Sequence, residues 1–193
     1  KLVEKRAIYM DNISQKVNGT MAAILGLTRE EVDQICLDQN VGTVEIANDN
    51  CPGQLVISGE VPAVQKVCEI AKEKGAKRTL PLKVSGPFHS SLLEEAAKHM
   101  ELEVKELQVE QPIVPIISNV TARPMNSIEI KKNIPTQIMT GVRFRESIEY
   151  LVQEGVDTFV EIGIGKTLCG FVNKTDKSKL TCNIDNVASL NKT

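Results

Sequence analysis

Residues 20–31 read Thr20-Met21-Ala22-Ala23-Ile24-Leu25-Gly26-Leu27-Thr28-Arg29-Glu30-Glu31. A short apolar run of this kind, closed by a turn signal, predicts a strand over Thr20–Leu27. Thr28 followed three positions later by Glu31 is a capping-box pattern, and it predicts a helix that ends near Gln39. Further on, Thr43–Ala47 and Gln54–Ser58 read as two strands. They flank Asn48-Asp49-Asn50-Cys51-Pro52-Gly53, a string of turn formers. Val61–Lys74 predicts a second amphipathic helix with Val64, Val67, Cys68 and Ala71 on one face and Gly75 as its stop. Arg78–Val84 closes the unit as a strand. The order βαββαβ over residues 19–84 is that of a ferredoxin-like unit, and such an order carries no chemistry by itself.

Outward from this unit the pattern changes. Residues 1–18 read as a helix containing Arg6. After the unit comes Leu82-Lys83-Val84-Ser85-Gly86-Pro87-Phe88-His89-Ser90-Ser91-Leu92-Leu93. This places a strand-like run, a Gly-Pro turn and a histidine directly before a helix striped with Leu92, Leu93, Ala96, Ala97 and Met100. Ile113–Val120 predicts a buried strand interrupted by Pro115, at an edge or a bulge. Helices are expected over Ser127–Met139, Arg145–Glu154 and Lys166–Asn173, with strands over Thr158–Ile162 and Leu180–Ile184. Residues 85–193 are thus α/β in character. Strands of this type require covered faces and parallel neighbours. A chain lacking those neighbours is expected to expose a strand edge and to be marginal alone.

Composition narrows the function classes. The 193 residues are 41% hydrophobic and 25% charged, with a net charge of −2 at pH 7, the profile of an ordinary globular domain. That charge argues against a nucleic-acid partner, whose footprint is strongly basic. No apolar run approaches the ~20 residues that span a bilayer, so no membrane role is expected. The five cysteines Cys36, Cys51, Cys68, Cys169 and Cys182 are scattered without a C-x-x-C pair. Neither a zinc site nor a disulfide framework is indicated, and reduced thiols in a cytoplasmic protein are expected. Gly163-Ile164-Gly165-Lys166-Thr167 lacks the spacing of a phosphate loop and reads as a tight strand-to-helix turn.

His89 is one of two histidines; the other, His99, is expected to be exposed on a helix. His89 falls where a strand end hands over to a helix, the region where α/β proteins gather ligands. An imidazole there can take a proton near pH 7. A turn or capping histidine without chemistry fits the local pattern equally well.

Several segments together carry a resemblance. They are Val3-Glu4-Lys5-Arg6-Ala7-Ile8-Tyr9-Met10, Gly19-Thr20-Met21-Ala22-Ala23-Ile24-Leu25-Gly26-Leu27, Ala47-Asn48-Asp49-Asn50-Cys51-Pro52-Gly53-Gln54-Leu55-Val56-Ile57-Ser58-Gly59 and Gly75-Ala76-Lys77-Arg78. The His89 segment, Ser118-Asn119-Val120-Thr121 and Glu161-Ile162-Gly163-Ile164-Gly165-Lys166-Thr167-Leu168 complete the set. In this order the chain resembles the malonyl-CoA:acyl carrier protein transacylases over nearly its whole length. The resemblance implies part of an α/β-hydrolase-like acyltransferase core plus a ferredoxin-like small subdomain. Residues 1–18 would be a helix of the large subdomain, 19–84 the small subdomain and 85–193 the C-terminal part of the large one.

The same resemblance implies chemistry. A serine ester would carry malonyl from malonyl-CoA to the phosphopantetheine thiol of acyl carrier protein. His89 matches the base, Gln137 the residue whose backbone carbonyl orients it, and Asn119 a strand-end neighbour. Arg6 matches the arginine that forks onto the malonyl carboxylate, and Phe88 the bulk that leaves little room for an α-methyl branch. Asn50 and Gln54 would meet the pantetheine amides. Lys77, Arg78 and Lys83 would steer an acidic carrier protein. No metal and no tightly bound cofactor are implied, and the complete enzyme would be monomeric. The family's Gly-His-Ser-x-Gly nucleophile elbow and its N-terminal Gln-Gly segment do not occur in this sequence. A portion without the nucleophile, inactive alone, is therefore expected. The alternative is a non-catalytic module that binds carrier protein or coenzyme A.

Overall fold

The computed structural model describes residues 1–191. Helix α1 (Leu2–Ser14) leads into β1 (Gly19–Leu25), α2 (Arg29–Asp38), β2 (Val44–Cys51), β3 (Gln54–Glu60), α3 (Val61–Glu73) and β4 (Arg78–Pro81). Thr28 and Glu31 form the reciprocal cap of α2. Thr28 Oγ1 accepts from the Glu31 amide at 3.2 Å, and the Glu31 carboxylate accepts from the Thr28 amide at 2.7 Å. The strands lie in the order β4-β1-β3-β2 and are antiparallel to their neighbours. A two-residue strand, β5 (Val142–Arg143), adds in parallel beside β2 to make a mixed sheet.

Alternation along the strands divides this sheet into two faces. Ala22, Ile24, Leu55 and Ile57 meet Val32 and Ile35 of α2 and Val64 and Val67 of α3 in one closed core. Each fully buried Ile or Leu there contributes about 1.5–3 kcal/mol relative to exposure. The opposite face presents Met21, Ala47 and Val56, which pack against Leu82 and Phe88.

A helical layer carries the second core. Met10 and Ile13 of α1 meet Ala96, Ala97 and Met100 of α4 (Glu94–Lys105) and Ile138 of α5 (Ser127–Met139). Glu103 fastens α4 to α1, receiving the Tyr9 hydroxyl at 2.6 Å and the Lys5 ammonium. Beyond follow α6 (Phe144–Gln153), β6 (Thr158–Ile162), α7 (Thr167–Thr175), β7 (Leu180–Ile184) and α8 (Val187–Leu190), with β6 and β7 forming a parallel pair. Positions 192 and 193 of the 85–193 region lie outside the described residues.

Three expectations are corrected. Ile113–Val120 does not form a buried strand: Ile113 is 102% exposed, and only an isolated bridge joins Ile117 to Pro124. Pro112 and Pro115 supply no N–H to a ladder, and among the described residues the segment meets a strand through one bond, from the Arg143 amide of β5 to the Asn119 carbonyl. The closing strand stops at Pro81 instead of Val84, which leaves residues 82–85 irregular. Finally, Asn48–Cys51 is strand rather than turn. β2 accommodates these residues through register shifts between Ile46 and Asn48 and between Asp49 and Cys51, the signature of bulges that re-aim side chains.

Candidate active site

The Gly86-Pro87 turn is pressed between the end of α1 and the start of β1. A Cβ on Gly86 would sit 2.1 Å from Ser14 Oγ, and one on Gly19 would sit 2.4 Å from the Pro87 ring. Both positions therefore require glycine for close approach. His89 follows with φ of +59°, a left-handed conformation that costs a non-glycine residue about 1–3 kcal/mol. Local bonds hold it there. The buried Ser90 hydroxyl donates to the Pro87 carbonyl at 2.7 Å. His89 Nδ1 lies 2.8 Å from the Gln137 backbone carbonyl.

Gln137 belongs to the last turn of α5, where carbonyls have no helical partner. The carbonyl can only accept, so Nδ1 carries the hydrogen and Nε2 keeps its lone pair. Burial pushes the His89 pKa below its ordinary value, the Gln137 carbonyl opposes this, and the Arg6 charge adds to the lowering. The ring is thus neutral near pH 7, with its basic nitrogen free.

His89 borders a cleft of about 590 Å³ shared with Arg6, Met10, Met21, Asn48 and Phe88. Arg6 reaches it from α1. Its half-buried guanidinium makes no ion pair or side-chain hydrogen bond among the described residues, and burial lowers its pKa. A guanidinium in that position offers a planar fork of N–H donors, the geometry that matches a carboxylate. Phe88 packs against both the helical core and the sheet face, so its ring forms a fixed wall.

The structure brings His89, the Gln137 carbonyl, Arg6 and Phe88 together. Asn119 lies apart: it lines a separate cavity of about 230 Å³ with Gln137, and its carbonyl accepts from the Arg143 amide at 2.9 Å. Asn50 and Gln54 also lie off the cleft, with Gln54 Oε1 receiving the Lys174 ammonium at 2.9 Å. Lys83 sits between the cleft residues Leu82 and Val84. Lys77 and Arg78 are exposed at the far end of edge strand β4.

Asn48, Asp11 and Ser85 are polar cleft residues that the sequence did not single out, Asn48 because its turn-forming neighbours concealed a bulged strand. Next to Asn48, Asp49 is 1% exposed. Arg145 forks onto its carboxylate with bonds of 3.0 and 2.9 Å, and Arg29 adds a contact at 3.3 Å. Among the described residues no group of three or more His, Cys, Asp or Glu side chains could hold a metal ion.

The class follows from comparison with known proteins. Residues 3–192 match the acyl transferase domain, and the chain belongs to that family. Among particular relatives, the malonyl CoA-acyl carrier protein transacylase of Bacillus subtilis (strain 168) is 44% identical over 178 residues. That match covers 91% of this chain and 56% of the relative. The crystal structure of the malonyl CoA-acyl carrier protein transacylase from Clostridium perfringens ATCC 13124 superposes with a TM-score of 0.95 at 40% identity. It covers 100% of this chain and 61% of that one. A type II PKS acyl-carrier protein in complex with its malonyl-transacylase gives a TM-score of 0.95 at 33% identity, covering 99% of this chain and 62% of that chain. The chain thus spans less than two thirds of the length of these relatives.

Proposed function

We propose that this chain is the part of a malonyl-CoA:acyl carrier protein transacylase that holds the base and recognises the acyl carboxylate. One observation carries the reading: a half-buried arginine without an acidic partner shares a cleft with a neutral, oriented histidine. In the first half-reaction, His89 Nε2 takes the proton of a serine hydroxyl as its oxygen attacks the malonyl thioester. The proton then passes to the departing coenzyme A thiolate. In the second, His89 takes the proton of the carrier's phosphopantetheine thiol, whose sulfur attacks the acyl-serine ester; the released serine oxygen recovers that proton. Gln137 holds the ring through Nδ1, and Arg6 forks onto the malonyl carboxylate. Phe88 crowds an α-methyl branch.

The sheet order β4-β1-β3-β2 supports reading residues 19–84 as a ferredoxin-like subdomain, and the parallel β6–β7 pair supports an α/β-hydrolase-like core for the rest. Lys83, backed by Lys77 and Arg78 along the β4 edge, would attract an acidic carrier. Five free thiols fit a cytoplasmic protein of fatty-acid synthesis, and the reaction needs no tightly bound cofactor. Among the described residues no helix is long and apolar enough to cross a membrane.

Calorimetric titration tests the reading. Malonyl-CoA should bind more tightly than acetyl-CoA, and Arg6→Ala should erase most of the difference. Loss of a charge-assisted bond worth about 1.5–3 kcal/mol corresponds to roughly 10- to 150-fold in affinity. Equal weakening of both ligands would remove Arg6 from the carboxylate role. Intact mass after exposure to malonyl-CoA should show binding without an acyl adduct; an adduct would place a nucleophile within these 193 residues.

A further inference from the structure

The helix that follows His89 begins in an unusual way. Ser91–Leu93 is a 3-10 turn that continues into α4, and the residue at its cap, Ser90, makes no side-chain cap bond. The Ser90 hydroxyl is occupied by the Pro87 carbonyl. The first amide of the helix is satisfied from another element. Glu45, on β2, accepts from the Ser91 amide at 3.2 Å through one carboxylate oxygen and from the Ser91 hydroxyl through the other. A carboxylate at a helix N-terminus also meets the positive end of the helix dipole.

We propose that Glu45 is a positioning residue for His89, acting as a remote cap that locks the turn on the far side of the histidine. His89 stands at φ of +59° between two fixed points. On one side, Gly86 and Pro87 are wedged against α1 and β1. On the other, Leu93 packs the helix start into the helical core, and among the described residues the hydrogen bonds from this start to the sheet are those of Ser91 to Glu45. Releasing that tie lets the turn relax toward an ordinary conformation, and Nδ1 then leaves the Gln137 carbonyl. β2 also supplies Asn48 to the cleft, so a single strand would set both the cleft wall and the base. The assignment rests on the proposed role of His89 as the base.

Nitrogen-15 and proton NMR of the His89 ring tests it in the 193-residue chain carrying His99→Gln, which leaves one imidazole. The parent should show a single Nδ1–H tautomer with a slowly exchanging Nδ1–H signal. Glu45→Ala should lose that signal and average the two tautomers, while Ser91→Ala, which deletes one of the two bonds, should shift the ring nitrogens part of the way. Glu45→Gln keeps an oxygen for the Ser91 amide and presents an NH2 group that can donate to the Ser91 hydroxyl, so both ties survive without the charge and the parent spectrum should be kept. Unchanged ring nitrogens in Glu45→Ala would overturn the proposal. So would a Glu45→Gln variant that loses the signal as completely as Glu45→Ala, because charge rather than the cap would then be responsible. Circular dichroism confirms that the variants are folded, and Ser91→Ala, an exposed change, keeps the test open if Glu45→Ala unfolds. A parent that fails to bind malonyl-CoA would refute the transacylase reading and leave the tautomer comparison standing.

Discussion

The sheet built from β1 to β4 and the parallel pair β6–β7 obey the same rules and end in different states. In the first, both faces are covered, one by α2 and α3 and the other by Leu82 and Phe88. In the second, Ile162 is 81% exposed, Leu180 66%, and Ile164 in the turn after β6 is 99% exposed. The contrast lies in how each kind of sheet finds cover. β2 and β3 are joined by a tight hairpin, and α2 and α3 are supplied by the same stretch of chain, so residues 19–81 close their own core. Parallel strands are covered on both faces only when further elements lie over them. For β6 and β7 the cover within the described residues is partial: Phe159 and Val160 border a cavity with Ile148 of α6 and Val172 of α7, while Val160 is 45% exposed and Ile162 81%.

The largest test of this contrast is Asp49→Ala, at the seam where the closed sheet meets α6. Removing a buried carboxylate leaves Arg145 and Arg29 facing each other without their shared anion. Breaking a buried pair in this way should cost about 3–5 kcal/mol in urea unfolding. Asp49→Asn should cost less, since its amide oxygen still accepts from Arg145. A loss below 1 kcal/mol, on the order of an exposed ion pair, would show that α6 is not anchored there. Inside the closed sheet, Ile57→Ala removes a fully buried side chain and should cost about 2–5 kcal/mol.

The same contrast explains what could be read from the sequence. The capping box at Thr28 and Glu31, the apolar face of α3 and the βαββαβ order were legible because each is set by neighbours a few residues away. The Gly-Pro turn before the helix was legible, although the strand ahead of it ends early at Pro81, and the family likeness supplied the base and carboxylate roles that remain a proposal. What escaped depends on distant partners. Asn48 and Asp49 look like turn residues until Arg145, nearly a hundred positions later, turns Asp49 inward and two bulges aim Asn48 into the cleft. Ile113–Val120 looks like a strand by composition, and only the absence of a flanking ladder and the two prolines decide otherwise. Arg6 is surrounded by Glu4 and Lys5 in the sequence, and its half-buried place lies in the cleft it shares with Phe88 and His89.

His89 lies at the seam between the two cores and gives a smaller, pH-dependent effect. Its folded pKa is below the ordinary 6.5, chiefly from burial. Well above 6.5 the ring is neutral in both states and contributes no pH dependence. As the pH falls below 6.5 the unfolded chain takes up the proton first, so stability drops until the folded pKa is passed and then levels off. Urea unfolding at pH 7.5 and 5.5 should show this loss in the parent and not in His89→Gln. An equal pH slope in both would mean that burial does not lower the His89 pKa.

The smallest effect is expected on the open pair, and it is the sharpest discriminator of the two regions. Ile162 and Ile57 are the same residue type on strands of the same molecule, so the parent side chains differ in burial alone. Ile162→Ser removes an apolar side chain that is already in water, leaves no cavity and takes nothing from the ladder with β7. Its unfolding free energy should stay within about 0.5 kcal/mol of the parent. Light scattering should meanwhile fall, because an exposed apolar strand is a template for pairing with another chain. If Ile162→Ser instead destabilised the chain as much as Ile57→Ala, β6 would be buried in solution, and something would be covering the face that the fold leaves open.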